Sequence, residues 1–424
     1  MKLTVEGQEP LVGTVKASGS KISAIHLIIA SLFSNEDVIL ENVPRVEDVE
    51  SLVKIIKSLG ATAEWTSLNA LKINGSSISS NEISFDPVSS NVGLVLLVVP
   101  LIYRFGKAKV TKVEDVSPKQ HLKNRFLNIW ESLHFEIKDD GQFYFIEAKS
   151  QLNSEILLKV NTVTGTANAI FSSIFIPDET IITNASSEAE IDDLIEFLNE
   201  LGGSVKRVDE RKIIVSGTSS FGEARYKIMP DHKEAVVFAT LALLTYGDIT
   251  VENVVSGNLL AFVRKLEALG ANFEFKENSL RVWRPKEQSL KATNVETAPC
   301  PGFLSDWQPA MTVLLTQVEG VSYVTETMHV KRLDFTKELN RMGGKVTLVQ
   351  LAEEDSAQAM VEGPTHLKKG KVSIPDPLTG EALVLAALSA EGRSELYGYE
   401  VVQQASEGFE EKLTGLGAKI KVLE

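Results

Sequence analysis

An internal repeat that returns six times along the 424 residues constrains the fold more than any other feature. Each copy consists of a strand, an amphipathic helix, a Leu-Gly pair or a close variant of it, and a second strand. Successive copies lie 68 to 74 residues apart, and their helices end at Leu59-Gly60, Leu133-His134, Leu201-Gly202, Leu269-Gly270, Met342-Gly343 and Leu416-Gly417. Because glycine after a helix favours a left-handed C-cap, the repeat predicts six equivalent structural units.

Each copy contains two kinds of helix. The repeated helix has a single apolar face, with apolar residues at offsets 0, 3, 4, 7 and 10 from Val49, Ile191 and Leu259. A second, more uniformly apolar helix precedes the strand of each copy, at 23–33, 92–103, 167–175, 234–245, 308–317 and 381–390. Helices that are apolar all round are buried, and buried helices need a closed core. We therefore predict an α/β fold with two domains of three units each, not an open solenoid.

The charge of the chain excludes some classes of partner. Lysine and arginine number 43, and aspartate and glutamate number 57, which gives a net charge of −14. So acidic a chain argues against a duplex nucleic-acid binder and against a polybasic membrane anchor. A small anionic substrate is compatible with this charge, because a few cations at one cleft can override the global sign.

The cysteine and histidine content indicates in which cellular compartment the protein works and whether it holds a metal. A single cysteine, Cys300, cannot form an intrachain disulfide or a cysteine-based zinc site, and the six histidines show no metal-ligand spacing. We therefore expect a reduced, cytoplasmic protein without a metal or another cofactor. The N-terminal residues alternate like a strand and show no secretory signal, and the most apolar stretch, 92–103, is too short to span a bilayer.

The starts of the six buried helices are candidate binding positions. A helix N-terminus offers free N–H groups and partial positive charge, so it attracts phosphate or carboxylate. The openings lie at 18–21, 89–91, 164–166, 230–234, 305–306 and 378–380. Ordinary N-capping by Ser, Thr, Asp or Gly is the alternative explanation for these residues. Lys21 is the exception, because a cation at a helix start is unfavourable and indicates another role.

Several motifs resemble those of the enolpyruvyl transferase family, and the resemblance covers essentially the whole chain. The most specific matches are 297–303 with Asp306 and Gln308, Arg332 with 338–339 and 341–343, and 188–191 with 197–198. Residues 18–21, 165–168 and 230–234 match as well. The resemblance implies two inside-out α/β barrel domains with the ligand cleft between them. It also implies two crossings of the chain, so that residues 1–20 join 231–424 in one domain and residues 21–230 form the other.

Within the family, the chain is most similar to the branch that acts on UDP-N-acetylglucosamine. The resemblance implies transfer of the enolpyruvyl group of phosphoenolpyruvate to the sugar 3-hydroxyl with release of phosphate, the first committed step of peptidoglycan synthesis. The implied catalytic residues are Lys21, which would contact phosphoenolpyruvate, Asp306, which would accept the hydroxyl proton, and Arg332, a cleft arginine. The implied substrate-binding residues are Gly165, Thr166, Asn168, Asp231 and Glu234.

The sequence departs from the family pattern at several site positions. Three arginines that the family would place at helix starts and in the last repeat fall at Val92, Leu378 and Gly408. The active-site loop of the family carries a cysteine or an aspartate and then Arg-Pro, whereas residues 111–121 contain neither a cysteine nor Arg-Pro. Asp115 is a possible replacement acid in this loop, and a solvated loop carboxylate is the alternative explanation.

These departures leave two alternatives to the implied activity. The missing cysteine and arginines favour a non-catalytic relative that binds a nucleotide sugar or a protein partner through the same cleft. The altered loop favours an enolpyruvyl transferase with a different acceptor. For the enzyme we expect small-molecule substrates, no nucleic acid and no membrane partner; the sequence does not predict an oligomeric state.

Overall fold

The predicted repeat is present in a computed structural model, which describes residues 1–84, 92–112, 126–148, 155–349 and 356–423. Within these ranges the strands are β1 (Lys2–Glu6), β2 (Val12–Lys16), β3 (Val38–Glu41), β4 (Thr62–Ser67), β5 (Ala70–Asn74), β6 (Glu82–Ile83), β7 (Lys107–Thr111), β8 (Glu136–Asp139), β9 (Phe143–Glu147), β10 (Glu155–Leu157), β11 (Thr180–Thr183), β12 (Ser204–Asp209), β13 (Lys212–Ser216), β14 (Ala224–Lys227), β15 (Asp248–Glu252), β16 (Asn272–Lys276), β17 (Ser279–Trp283), β18 (Val295–Glu296), β19 (Gly320–Glu326), β20 (Val346–Val349), β21 (Ala357–Gly363), β22 (Lys371–Ser373), β23 (Arg393–Tyr397) and β24 (Lys419–Leu423).

The α-helices of the same ranges are α1 (Lys21–Ser31), α2 (Glu47–Ser58), α3 (Val98–Phe105), α4 (Asn128–Ser132), α5 (Val163–Ser173), α6 (Ala189–Glu200), α7 (His232–Leu244), α8 (Leu260–Leu269), α9 (Gln308–Leu315), α10 (Thr336–Arg341), α11 (Pro377–Ser389), α12 (Glu400–Ala405) and α13 (Phe409–Gly415). Short 3-10 helices lie at Val92–Leu97, Ser256–Leu259, Ser305–Trp307 and Val330–Phe335.

The described strands form six four-stranded sheets that share one arrangement. Their orders are β14-β3-β5-β4, β6-β7-β9-β8, β10-β11-β13-β12, β16-β17-β15-β2, β18-β19-β21-β20 and β22-β23-β1-β24. In every sheet one edge strand pairs in parallel with its neighbour, as β14 does with β3, and the other two pairings are antiparallel. The sequence prediction of six equivalent units is therefore confirmed.

The chain divides into two units, each with its own core. One unit consists of Met1–Ser18 and Pro230–Glu424, and the other of Gly19–Met229. Three of the sheets lie in each unit. Buried apolar residues form one cluster in each unit, and the two clusters share no residue. Each unit is thus an α/β structure built from three repeats.

The predicted buried helices form the interior of each unit. In the unit that contains Pro230–Glu424, helices α7, α9 and α11 pack against one another, and most of their residues are buried. In the Gly19–Met229 unit, α1, α3 and α5 are likewise mostly buried. The amphipathic helices, such as α2, bury the predicted face and expose the opposite one. The inside-out α/β arrangement is confirmed.

The apolar stretch 92–103 differs from the uninterrupted helix that its composition predicts. Its first part, Val92–Leu97, is a 3-10 helix, and α3 begins only at Val98. Pro100 falls in the first turn of α3, where its missing N–H costs nothing; one turn further into a helix it would remove a hydrogen bond. None of the helices in the described ranges combines the length and the apolar character needed to cross a membrane.

The left-handed helix ends predicted for the five glycines are present, and His134, the exception in the second repeat, adopts the same conformation. A residue with a positive φ lies one or two positions after the end of each repeated helix, with φ of 106° at Gly60, 63° at His134, 97° at Gly202, 70° at Gly270, 96° at Gly343 and 97° at Gly417. At Gly60 a Cβ atom would also lie 2.6 Å from the carbonyl oxygen of Ser77. Glycine is therefore required there by conformation and by space, whereas His134 adopts the same region with a side chain.

A second repeated feature lies where the central strands end. Asn42, Asn184 and Asn253 directly follow β3, β11 and β15, and each has φ near 60°. Each side-chain amide donates to a carbonyl oxygen at the end of the neighbouring parallel strand, at 2.8 to 3.0 Å; the acceptors are Ile228, Leu158 and Ala17. This asparagine joins the two parallel strands of a repeat at the edge where the next segment leaves the sheet.

Candidate functional site

Asp306 and Arg332, two of the predicted catalytic residues, form an ion pair. Asp306 lies in the 3-10 turn Ser305–Trp307, which leads into the buried helix α9. Its Oδ1 accepts a hydrogen bond from Nη1 of Arg332 at 2.7 Å, and the same nitrogen donates to Oγ of Ser305 at 2.6 Å. The Asp306 side chain keeps 39% exposure, against 15% for Arg332. The two side chains are therefore in direct contact, and part of the Asp306 side chain stays exposed.

Opposing effects set the protonation of Asp306. Burial raises the pKa of its carboxyl, but the positive charges of Arg332, Lys233 and His329 lower it by more, so that the pKa lies below its ordinary value. Asp306 is consequently ionised at neutral pH. A partly exposed, ionised carboxylate can accept a proton from a hydroxyl group.

Glu326, the last residue of β19, is linked to the Asp306–Arg332 pair through Ser305. Its side chain is fully buried. Oε2 accepts from Oγ of Ser305 at 2.8 Å. Oε1 accepts from Oγ1 of Thr297 at 2.9 Å and from the backbone N–H groups of Met328 and His329 at 2.8 and 2.9 Å. A continuous chain of hydrogen bonds therefore runs from Glu326 through Ser305 to Arg332 and Asp306.

Lys233 brings a second cation close to Asp306. It lies in the first turn of α7, and its Nζ is 3.2 Å from Oε1 of Glu381, which is nearly buried in α11. Ser406 donates to the same Glu381 oxygen. Burial lowers the pKa of Lys233, but the negative charges of Glu381, Asp231 and Asp306 raise it by more, so Lys233 is fully charged. The starts of α7, α9 and α11 thus form one charged cluster.

Asp231 and Glu234, both predicted to bind substrate, are engaged within this unit. Asp231 is the N-cap of α7, where Oδ1 accepts from the backbone N–H of Lys233 at 2.8 Å. Glu234 is paired with Lys412 of α13 and accepts from the backbone N–H of Ser18 at 2.7 Å. Burial raises the pKa of Glu234, partly offset by the charge of Lys412. Both carboxylates therefore have structural partners close to the chain crossing at Ser18.

Lys21, in the Gly19–Met229 unit, is the first residue of α1 and follows the N-cap Ser20. Its Nζ lies 2.9 Å from Oδ2 of Asp48 in α2, and both side chains are about one-third exposed, at 34% and 35%. The unfavourable cation at a helix start, noted from the sequence, is thus balanced by a carboxylate.

Gly165, Thr166 and Asn168 lie in the first turns of α5. The side chains of Thr166 and Asn168 are fully buried. Oγ1 of Thr166 accepts from the backbone N–H of Ser186 at 2.8 Å, and Oδ1 of Asn168 accepts from Nε1 of Trp130 at 3.1 Å. Both side chains are therefore engaged by other parts of the protein.

Asp115, the possible replacement acid, lies outside the described residues. In the parts of the chain that the structure describes, no group of three or more His, Cys, Asp or Glu side chains is arranged to hold a metal ion.

Sequence reasoning did not single out Glu326, Lys233 or Lys412. Lys233 lies inside the helix opening 230–234, between two residues that were selected, and its charge at a helix start is the same signal that pointed to Lys21. Glu326 ends an alternating strand, where a buried carboxylate leaves no pattern in one sequence. Lys412 lies on an amphipathic helix, where lysine is usually solvated.

Comparison with known proteins places the chain among relatives over its full length. The sequence model of the EPSP synthase (3-phosphoshikimate 1-carboxyvinyltransferase) family matches residues 5–116 and 125–413. The chain belongs to this family. UDP-N-acetylglucosamine 1-carboxyvinyltransferase 1 of Caldanaerobacter subterraneus subsp. tengcongensis is 33% identical over 419 residues, 99% of each chain. The UDP-N-acetylglucosamine 1-carboxyvinyltransferase of Bradyrhizobium diazoefficiens is 32% identical over 426 residues, 98% of this chain and 97% of that one.

Solved structures share the fold of this chain. The enolpyruvyl transferase NikO from Streptomyces tendae superimposes with a TM-score of 0.86 at 21% identity, covering 99% of this chain and 98% of its own. EPSP synthase from Acinetobacter baumannii superimposes with a TM-score of 0.79 at 17% identity, covering all of both chains. The likeness to both extends over the whole chain, which agrees with the six repeats described above.

Proposed function

We propose that this protein is an enolpyruvyl transferase that moves the enolpyruvyl group of phosphoenolpyruvate to the 3-hydroxyl of UDP-N-acetylglucosamine and releases phosphate. This is the first committed step of peptidoglycan synthesis, and we assign it to the cytoplasm. The observation that carries the proposal is the full-length similarity to two UDP-N-acetylglucosamine 1-carboxyvinyltransferases, at 33% and 32% identity. The direct contact between Asp306 and Arg332 supports it.

The Asp306–Arg332 pair suits the acceptor half of this reaction. The sugar hydroxyl must lose its proton as its oxygen bonds to the central carbon of phosphoenolpyruvate, whose methylene carbon gains a proton. Asp306 is ionised and partly exposed, so it is the base that we assign to the hydroxyl proton. Among the described residues, Nε and Nη2 of Arg332 have no hydrogen-bond partner, so we assign them to an anionic oxygen of the substrate or of the intermediate.

The remaining predicted residues keep the roles that the family resemblance implies. We assign Lys21 to phosphoenolpyruvate, because its amine is partly exposed and, among the described residues, is paired with a single carboxylate, that of Asp48. We assign the start of α5 at Gly165, with Thr166 and Asn168 holding it in place, to the nucleotide sugar. Asp231 and Glu234 would then shape the site near the chain crossing, in two domains that we take to be 1–20 with 231–424 and 21–230.

A second candidate is a relative that binds a nucleotide sugar without transferring the group. It is favoured by Val92, Leu378 and Gly408, which stand where the family pattern has arginines. Each charged hydrogen bond lost to phosphoenolpyruvate would weaken its binding by about 1.5–3 kcal/mol. A chain that kept the sugar site and lost these cations would bind the sugar and release no phosphate.

Phosphate release from phosphoenolpyruvate and UDP-N-acetylglucosamine distinguishes the two candidates. We expect release by the wild type and a loss of roughly 100-fold or more in Asp306→Asn, because general-base catalysis contributes about that much. Asp334→Asn is the matched control, since Asp334 belongs to the same 3-10 helix as Arg332 but is exposed and paired with Lys337. Saturable sugar binding by the folded wild type without phosphate release would establish the second candidate.

A further inference from the structure

Glu326 is a fully buried carboxylate that is held by hydrogen bonds alone. Four donors surround it: the hydroxyl groups of Thr297 and Ser305 and the backbone N–H groups of Met328 and His329. Within the described residues no lysine or arginine forms an ion pair with it. A carboxyl group at 0% exposure needs a partner for each of its oxygens, and these four donors supply partners to both.

The internal repeat allows Glu326 to be compared with the residues at the same position in other units of the molecule. In the unit of β15, the backbone N–H of Ala17 donates to the carbonyl oxygen of Glu252 at 2.9 Å, and Asn253 is the next residue after Glu252. In the unit of β19, the backbone N–H of Thr297 donates in the same way to the carbonyl oxygen of Thr325 at 2.9 Å, and Glu326 is the next residue after Thr325. Glu326 therefore occupies the repeat position that Asn42, Asn184 and Asn253 occupy in three other units. Those asparagines bind a carbonyl of the neighbouring strand. Glu326 instead accepts hydrogen bonds from Ser305 and from the backbone of Met328 and His329, just before Arg332 in the chain.

The carboxylate fixes the direction of the next hydrogen bond. All the hydrogen bonds at Glu326 are ones that its oxygens accept, so the single proton of the Ser305 hydroxyl points to Oε2 of Glu326, at 2.8 Å. The lone pairs of the Ser305 oxygen are then available to Nη1 of Arg332, at 2.6 Å. Nη1 has two hydrogens, and its second one is directed to Asp306 at 2.7 Å. One nitrogen is thereby fixed at two points.

We propose that Glu326 is a positioning residue for the Asp306–Arg332 pair: by holding the Ser305 hydroxyl as an acceptor, it fixes the Arg332 guanidinium against Asp306. The importance of this arrangement for turnover rests on the proposed function, whereas the geometry itself does not. Glu326 touches no reacting atom in this account. It acts through Ser305 and through the two backbone N–H groups that shape the segment before Arg332.

The charged groups that face Asp306 make the proposal measurable. Arg332 and His329 lie on the segment after β19, and Lys233 lies on α7; all three lower the pKa of Asp306 against its burial. Lys233 in turn faces Glu381 and Asp231. His232, also on α7, accepts from Nε1 of Trp307 at 3.1 Å, next to Asp306 in the chain. If Arg332 loses its fixed position, the pKa of Asp306 must rise, because the other groups are unchanged.

The test is the titration of the Asp306 carboxyl in the whole protein, followed by carbon-13 NMR and assigned through the signal missing in Asp306→Asn. In Glu326→Gln the amide nitrogen would donate to Ser305 and reverse its hydrogen bond, and Ser305→Ala would remove the acceptor. We expect the pKa of Asp306 to rise in both variants, by up to about one unit. If the first variant does not fold, Ser305→Ala carries the test, because it removes only one hydroxyl.

Two control variants separate positioning from simple structural damage. Thr297→Val removes another donor to Glu326, and Asn253→Ala removes the equivalent repeat residue, but neither lies on the path to Arg332. Both should lower the unfolding temperature without moving the Asp306 titration. An unchanged titration in Ser305→Ala, or an equal shift in all four variants, would overturn the proposal. The titration needs no turnover, so a wild type that released no phosphate would count against the proposed function alone.

Discussion

At the residue scale, two buried groups of the Gly19–Met229 unit have pKa values that move in opposite directions. Burial lowers the pKa of His26 in α1 to about 4, partly offset by Glu190. Burial also raises the pKa of Asp193 in α6 to about 6, partly offset by hydrogen bonds that include one from Tyr226 at 2.8 Å. Helices α1 and α6 pack together, so one interface contains a neutral histidine and a largely protonated carboxyl below pH 6.

The stability of the protein should therefore contain two opposing pH dependences. For His26 the unfolded chain binds the proton first, so this residue lowers stability as the pH falls from about 6.5 to about 4. For Asp193 the folded state keeps the proton longer, so this residue lowers stability as the pH rises from about 4 to about 6. Each effect amounts to about 3 kcal/mol, at 1.4 kcal/mol per unit of pKa.

Denaturant unfolding of His26→Leu and Asp193→Asn between pH 4 and pH 7 measures these effects. Relative to the wild type, His26→Leu should gain stability as the pH falls, and Asp193→Asn should gain stability as the pH rises. Leucine is suited to this site because Nδ1 of His26 is buried and has no hydrogen-bond partner among the described residues. Parallel pH profiles for the wild type and both variants would contradict the account.

At the element scale, Lys412 couples α13 to α7 and to the chain crossing at Ser18. Its Nζ pairs with Glu234 and donates to Oγ of Ser18 at 2.8 Å, while Ser18 N–H donates to Glu234. Both charged side chains are at most 17% exposed. Removing one partner of a buried ion pair leaves an uncompensated charge, which costs far more than losing an exposed pair.

Lys412→Met should therefore destabilise the protein by about 3–5 kcal/mol at neutral pH. The loss should shrink in acid, because burial already raises the pKa of Glu234 and a protonated Glu234 needs no cation. The double variant with Glu234→Gln should recover part of the stability. Lys419→Met is the matched control: its pair with Glu9 is exposed at 57% and 46%, so its removal should cost less than about 1 kcal/mol. Equal losses in both lysine variants would refute this assignment.

Element types and repeats could be predicted because periodicity and helix-end glycines are local signals. Even His134, the exception to the glycine rule, adopts the left-handed conformation that its place in the repeat requires. The break before α3 was not predicted, because the apolar composition of 92–103 is the same for a 3-10 helix and an α-helix, and Pro100 is compatible with a first helical turn as well as with a kink. Asn42, Asn184 and Asn253 were missed, since a single asparagine after a strand is an ordinary turn residue.

At the scale of the whole molecule, the site was only partly predictable. Asp306 and Arg332 stand 26 residues apart in sequence and yet make direct contact, and family resemblance selected both. The contacts of Glu326 and Lys233 depend on which repeat elements pack against each other. A pattern in one sequence does not show that packing. Thr166 and Asn168 were selected by motif alone, and their side chains are fully buried, which motif matching does not reveal.

Formation of the transfer product tests the central claim most directly. The protein would be incubated with phosphoenolpyruvate and UDP-N-acetylglucosamine, and the nucleotide sugar would be analysed by mass spectrometry, beside the analogue that lacks the 3-hydroxyl. We predict a sugar carrying one enolpyruvyl group, formed together with phosphate, no product from the 3-deoxy analogue, and no product with Asp306→Asn. Unmodified UDP-N-acetylglucosamine after incubation with folded wild-type protein that binds it would contradict the account.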